Sequence, residues 1–221
     1  MADQTLAEFL QELQKDGGAV VSTSDEIADN NFNEQYWLQD DVYLPQAERL
    51  TGVFQGAFEP DRWFNVQKAL QIARSTPNGI VRGQMDQHLS TQTLRVEVLV
   101  EQLKQLTLSH LLGIPISDPG FLDHLQSALT GMFVGLGGQD GENYLSWGDE
   151  TGSSTSYTYN LFFAVQSLRT GAVMAVLPLS FDITASVDRK RLESLTVKDS
   201  ARFATYVRAV TFMQTLDTAA V

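Results

Sequence analysis

A chain of 221 residues, 43% hydrophobic and 19% charged, is long enough for one sizeable core and is not composed like a disordered or low-complexity segment. It contains no cysteine, which excludes disulfides, a thiolate nucleophile and a cysteine-based zinc site. Its net charge of −12, with no basic stripe carrying interleaved aromatics, argues against nucleic acid as a partner.

The charge is uneven. Residues 1–61 hold two basic side chains, Lys15 and Arg49, against thirteen acidic ones, whereas residues 62–221 hold thirteen against fourteen. The excess is either a solubilising acidic face or an acidic cover that is later removed. The first eighteen residues have no basic region followed by an apolar one, so Sec-type export is not expected. Leu6, Phe9, Leu10 and Leu13 follow helical spacing up to Gly17-Gly18, and residues 22–41 read as an extended polar, acidic segment interrupted by Phe32, Tyr36 and Trp37. No Lys or Arg occurs between Asp16 and Glu48, so trypsin-like cleavage of this region is confined to Lys15 or Arg49. Phe32, Tyr36 and Trp37 are the chymotrypsin-like candidates.

From Pro45, the apolar residues Ala47, Leu50, Val53, Phe54, Ala57 and Phe58 form one helical face, and Pro60 can open a second helix with Trp63, Val66, Leu70 and Ala73 inward. Together they make a helical hairpin. Pro77-Asn78-Gly79 reads as a turn before a strand from Ile80 to Leu89. Thr91 or Thr93 can then cap a helix lined by Val96, Leu99, Val100, Leu103, Leu106 and His110. Asp118-Pro119 is an N-cap followed by a first-turn proline, and Phe121, Leu122, Leu125, Ala128, Leu129, Met132 and Phe133 continue the pattern, giving a second hairpin. Gly113, Gly135 and Gly171 mark turns, and are the hinge positions if these elements move.

After Gly135 the period changes to two. Val173, Ala175, Leu177, Leu179, Phe181, Ile183, Ala185 and Val187 alternate strictly; their opposite-face partners are apolar at first and then Ser180, Asp182, Thr184 and Ser186. Ser180 and Thr184 therefore read as a side that tolerates charge. Tyr157 to Leu168 precedes this strand across Arg169-Thr170-Gly171, and Leu192–Val197 and Arg202–Met213 supply two more. No window holds the roughly 20 nearly uncharged apolar residues of a membrane-spanning helix. Strands apolar on both faces require cover on both sides. The expected fold is thus α/β: a single-domain, three-layer α-β-α sandwich whose central, mainly antiparallel sheet is wrapped by the two hairpins.

Chemistry is sparse. The three histidines, His88, His110 and His124, lack ligand spacing, and no nucleophile elbow, Walker A loop or dinucleotide fingerprint is present. The run GLGGQDGE at 135–142 lacks the alternating oxygen ligands of an EF-hand and reads as a linker. Neither catalytic residues nor a cofactor or metal is expected. Aromatic and hydroxyl residues cluster instead around Trp147, Tyr157 and Tyr159, which fits a membrane–water interface or strand-edge packing.

WGDET at 147–151, TSYTYN at 155–160, FAVQ at 163–166, TGAVM at 170–174, Pro178 with FDI at 181–183, and KDSA at 198–201 resemble the cytolytic (Cyt-type) delta-endotoxins. A weaker likeness extends through QAERLTGVFQGAFEP, so it covers most of residues 42–213. The resemblance implies an insecticidal cytolysin that binds the phospholipids of target cells without a protein receptor. It implies release from a bacterial cell and action at target membranes. It also implies a protoxin trimmed at its ends, held as a homodimer and oligomeric on the membrane. The chain then divides into an acidic pro-segment (1–41), a toxin domain (42–216) and a short tail (217–221). Candidate insertion or interface residues are Trp147, Tyr157, Tyr159, Phe162, Phe163, Val165, Val173, Val176, Leu177, Leu179, Phe181 and Ile183. A non-inserting lipid- or carbohydrate-binding module and an enzyme on the same sandwich stay open as alternatives.

Overall fold

The computed structural model describes residues 19–21, 30–108, 118–167 and 173–217. Seven strands form one sheet: β1 (Ala19–Val21), β2 (Asn33–Leu38), β3 (Gly79–Arg95), β4 (Leu145–Thr151), β5 (Ser154–Ser167), β6 (Val173–Ala185) and β7 (Ser200–Thr215). The order is β1-β2-β5-β6-β7-β3, with β4 also on β5. The β2–β5 pairing is parallel and the others antiparallel. One edge of β5 is shared end to end: β4 takes the half around Tyr157–Tyr159, and β2 takes Leu161–Val165.

Helices α1 (Leu44–Gln55) and α2 (Val66–Ser75) cover one face, and α3 (Val96–Leu106) and α4 (Pro119–Gly131) the other. The core is accordingly two clusters divided by the sheet. Leu50, Phe54 and Leu70 pack with Phe162, Val176 and Phe212, while Leu99, Leu103, Phe121, Leu125 and Leu129 share a cluster with Leu161, Phe163, Leu177 and Leu179. This is the expected three-layer sandwich. It follows from side-chain alternation, because successive residues of β5 and β6 must find cover on opposite sides.

Several local expectations are corrected. Within the segment read as extended and acidic, residues 33–38 form a sheet strand: the alternation of β2 sends Tyr36 into one cluster and Trp37 into the other, and Phe32 is buried beside them. Pro60 lies in the loop, and α2 starts after Asn65, whose side chain accepts from the backbone N–H of Gln67 and Lys68 at 3.0 and 3.1 Å. Trp63, expected inward, is 40% exposed.

Strand β3 runs through Thr93 to Arg95 rather than yielding to a threonine cap. Its polar end pairs with β7 after a register shift at Leu89/Gln92, and the carbonyls of Asp199 and Val197 accept the first helical N–H groups, of Val96 and Glu97, at 3.0 Å. A tertiary contact replaces a side-chain cap there. The segment expected as a strand at 192–197 begins instead in a short helix, α5 (Arg189–Glu193), capped by Asp188 and closed by an Arg189–Glu193 ion pair of 2.8 Å. The cap at Asp118 forms as the sequence predicts, its Oδ1 accepting from Phe121 N at 3.1 Å. His110, Gly113, Gly171, Lys15 and the first helical pattern lie outside the described residues.

Candidate functional site

Strands β5, β6 and β7 are neighbours in the sheet, and their two faces differ. On the α3–α4 side the cross-strand rows are Tyr157–Ile183–Thr205, Tyr159–Phe181–Val207 and Leu161–Leu179–Ala209, followed by Phe163–Leu177 and by Val165–Ala175–Met213. Apart from the half-buried Met213, every one of these side chains is buried. The tyrosine hydroxyls on this face are tied off, whereas Thr205 Oγ1 is buried without a hydrogen-bond partner among the described residues. Tyr157 Oη donates to the carbonyl of Met132 at 2.8 Å, and Tyr159 Oη donates to Gln139 Oε1 at 2.7 Å while accepting from Asn33 Nδ2 at 2.8 Å. Burial raises both phenols above their ordinary pKa, so both stay protonated donors through neutral and mildly alkaline pH.

On the α1–α2 side the same strands are apolar for only half their length. Phe162, Val176 and Phe212 lie under the hairpin, and beyond them come the rows Asn160–Ser180–Arg208, Thr158–Asp182–Tyr206 and Ser156–Thr184–Ala204. Arg208 Nη2 pairs with Asp182 Oδ2 at 2.6 Å, and Thr158 donates to the other Asp182 oxygen at 2.9 Å. The guanidinium sits against the rings of Trp63 and Tyr206, 4.9 and 4.8 Å from their centroids. The sequence reading missed this Arg208-centred group. Its one signal is that Tyr206 and Arg208 share a parity on β7, and no sequence pattern brings Trp63 to them.

The predicted interface residues therefore do not form one set. Tyr157, Tyr159, Phe163, Val165, Leu177, Leu179, Phe181 and Ile183 share the α3–α4 side; Phe162 and Val176 lie on the opposite face; Val173 is half-buried at a strand end. Trp147 is half-buried at the rim, where Nε1 donates to Asp140 Oδ1 at 2.9 Å and Arg189 stacks 4.2 Å from the ring. Tyr157 and Tyr159 are packed inside rather than displayed. Gly135 holds a left-handed turn at φ 76° before a single 3-10 turn, Leu136–Gln139. Phe32, Tyr36 and Trp37 are buried, so a protease meets them only once β2 leaves the sheet; Arg49 is on α1, paired with Asp217 at 2.7 Å.

The hairpins are held differently. Gln46 of α1 donates to Gln214 Oε1 and to the Thr215 carbonyl, both at 2.9 Å, and Tyr36 and Thr51 share a buried hydrogen bond of 2.8 Å. The α3–α4 pair rests on the sheet through apolar side chains, with the backbone bonds of Val96 and Glu97 to Asp199 and Val197 at the start of α3 and the Tyr157–Met132 bond at the end of α4. On α4, His124 lies with its ring 5.9 Å from that of Trp37, and burial lowers its pKa. Among the described residues no group of three or more His, Asp or Glu is placed to hold a metal, and no helix is long and apolar enough to cross a membrane.

The family model described as Bacillus thuringiensis toxin matches residues 15–221. The Type-2Ba cytolytic delta-endotoxin of Bacillus thuringiensis subsp. israelensis is 40% identical over 188 residues, covering 85% of this chain and 71% of that protein. The Type-1Aa toxin of subsp. morrisoni is 33% identical over 195 residues, covering 85% and 78%. Among solved structures, the activated Cyt2Ba monomer from subsp. israelensis superposes with a TM-score of 0.82 at 40% identity, over 85% of this chain and all of that one. A second delta-endotoxin gives 0.84 at 34% identity, over 90% and 88%. Sequence, fold and the helix-covered sheet agree: the chain belongs to the Bacillus thuringiensis toxin family, among its cytolytic delta-endotoxins.

Proposed function

We infer that the chain is a cytolysin that permeabilises target-cell membranes by binding phospholipid directly, lifting α3–α4 off the sheet and inserting β5, β6 and β7 as oligomers. The observation that carries this reading is the α3–α4 side of the sheet. It is apolar on β5 from Tyr157 to Val165, on strands of 14, 13 and 16 residues, and a spanning strand needs about 9–11. In water the second hairpin covers that surface. On a bilayer, hydrocarbon replaces the hairpin at little cost, because lipid tails are as apolar as leucine. Backbone groups of inserted strands must all be paired, so insertion requires association with further copies and closure.

The segment ahead of β2 is the removable cover in this reading. Support comes from the activated relative, which aligns over its whole length with 85% of this chain. Strand β2 pairs with β5 and buries Tyr36 and Trp37, whereas β1 is an edge strand paired with β2 alone, so we place the trimming between β1 and Phe32 and not at residue 41. Removing residues 1–29 takes away one basic and seven acidic side chains, moving the net charge from −12 to −6.

Release of a trapped dye from protein-free phospholipid vesicles tests the function. Leakage is expected, faster after trimming. Attachment without leakage would replace this reading with a non-inserting lipid-binding module.

A further inference from the structure

Insertion of the sheet leaves open which face meets hydrocarbon, and the structure is not symmetric on that point. The row Asn160–Ser180–Arg208 crosses three strands on the α1–α2 side, and its side chains are 2%, 0% and 8% exposed. Asn160 Oδ1, Ser180 Oγ and Arg208 Nη1 are buried atoms without a hydrogen-bond partner among the described residues. One register step on lies the Asp182 carboxylate that pairs with Arg208. A lipid-facing strand surface cannot hold an ion pair and three unsatisfied polar groups at mid-strand, because hydrocarbon offers them no partner. The row behind them, Leu161–Leu179–Ala209, carries apolar side chains only; the rows on that side hold no charge, and their unpartnered buried atom among the described residues is the single neutral hydroxyl of Thr205.

We propose that the α3–α4 side of β5–β7 turns to hydrocarbon and the α1–α2 side stays on water, so that the Asn160–Ser180–Arg208 row and its Asp182 partner line an aqueous path through the membrane. The assignment rests on the inserting-cytolysin reading above and adds the orientation that reading lacks. Water supplies the partners that Asn160, Ser180 and Arg208 need, and it solvates the Arg208–Asp182 pair. Phe162, Val176 and Phe212 keep the cover of the first hairpin, and Gln46 and Thr51 keep their bonds; only the loop that carries Trp63 has to open over Arg208 for water to reach the row.

The absence of cysteine makes the orientation measurable. Thr184→Cys and Ala204→Cys place a thiol on the α1–α2 side at neighbouring positions that are exposed and half-buried, so the fold tolerates them. Ala209→Cys and Ala185→Cys place one on the opposite side with the smallest change in volume. Each full-length variant is bound to phosphatidylcholine vesicles, checked for dye release, and exposed to a charged, membrane-impermeant maleimide. On leaking vesicles the wet-face thiols are expected to react roughly tenfold or more faster than the lipid-face thiols, as lumen and lipid positions of a spanning strand should. A bilayer-soluble maleimide, which cannot reach Ala185→Cys and Ala209→Cys under the second hairpin of the soluble protein, is expected to label them only after membrane binding; absence of such labelling would overturn the proposal, since these positions would still be under the hairpin. Fast Ala209→Cys and Ala185→Cys with protected Thr184→Cys and Ala204→Cys would reverse the orientation and overturn the proposal. Uniform protection on leaking vesicles would overturn it as well, by showing no aqueous face. Uniform fast reaction on leaking vesicles would mean that the strands never enter the bilayer; the inserting-cytolysin reading would then fall, and this inference with it.

Discussion

Tyr157 gives the most direct handle on whether the second hairpin must leave the sheet. Its hydroxyl donates to the Met132 carbonyl at the end of α4, and both residues are buried, at 2% and 0% exposure. Tyr157→Phe keeps the ring and its packing and removes one neutral hydrogen bond, leaving a buried carbonyl with a partner lost. That costs about 1–2 kcal/mol, a factor of roughly 5–30 in the undocked population if the loss falls on docking. A chain of this size should then melt about 2–8 °C lower. Dye release should be faster by up to the same factor, and the phenylalanine also sits better in hydrocarbon than a hydroxyl does. Tyr206→Phe is the control. It removes a hydroxyl bonded to Asp86 at 2.7 Å on the other face and should not accelerate release. Melting circular dichroism and the initial leakage rate read the two effects separately. A lower melting point with unchanged or slower leakage would refute the claim that α3–α4 docking restrains lysis.

Alkaline pH should unfold the protein cooperatively. Burial raises the phenols of Tyr36, Tyr157 and Tyr159 above the ordinary 10.0, so their contribution is complete below that pH and falls above it, where the unfolded chain ionises first. Each phenol then costs about 1.4 kcal/mol per pH unit, read as a falling denaturant midpoint; phenolate absorbance appearing near 10 for these residues in an intact fold would contradict it. Gly79→Ala should destabilise by roughly 1–3 kcal/mol, because a Cβ there would lie 2.0 Å from Cζ of the buried Phe212 ring; an unchanged melt would mean β3 shifts freely at its start. Thr184→Lys should fold and leak vesicles as the parent does, whereas Ser180→Lys, at a fully buried position, should not fold; impaired leakage by a folded Thr184→Lys would count against a wet face. Trimming ahead of Phe32 should speed vesicle binding most at low salt, as the net charge falls from −12 to −6; a fully active product that starts after Trp37 would show β2 to be dispensable.

The sequence by itself determined the layers. Period-two alternation through Val173–Ala185 and period-3.6 faces at Leu50–Phe54 and Phe121–Leu129 are local patterns, and a strand apolar on both sides admits only a sheet covered twice. Asp118 before Pro119 fixed a helix start because a cap is built from neighbours in the chain. What only the tertiary structure decided were features made by distant partners. Strand β2 looks like a polar, acidic stretch, yet it belongs to the sheet because β5 offers it an edge from Leu161 to Val165 and both clusters take its aromatics. Helix α3 starts at Val96 because carbonyls about a hundred residues away accept its N–H groups. Parity put Ser180 and Thr184 on the same side, but burial separates them: the sheet's twist and the reach of α1–α2 cover one and leave the other in water. The polarity of that face at Arg208 was equally hidden, since it depends on Asp182, Trp63 and Tyr206 arriving from three elements at once.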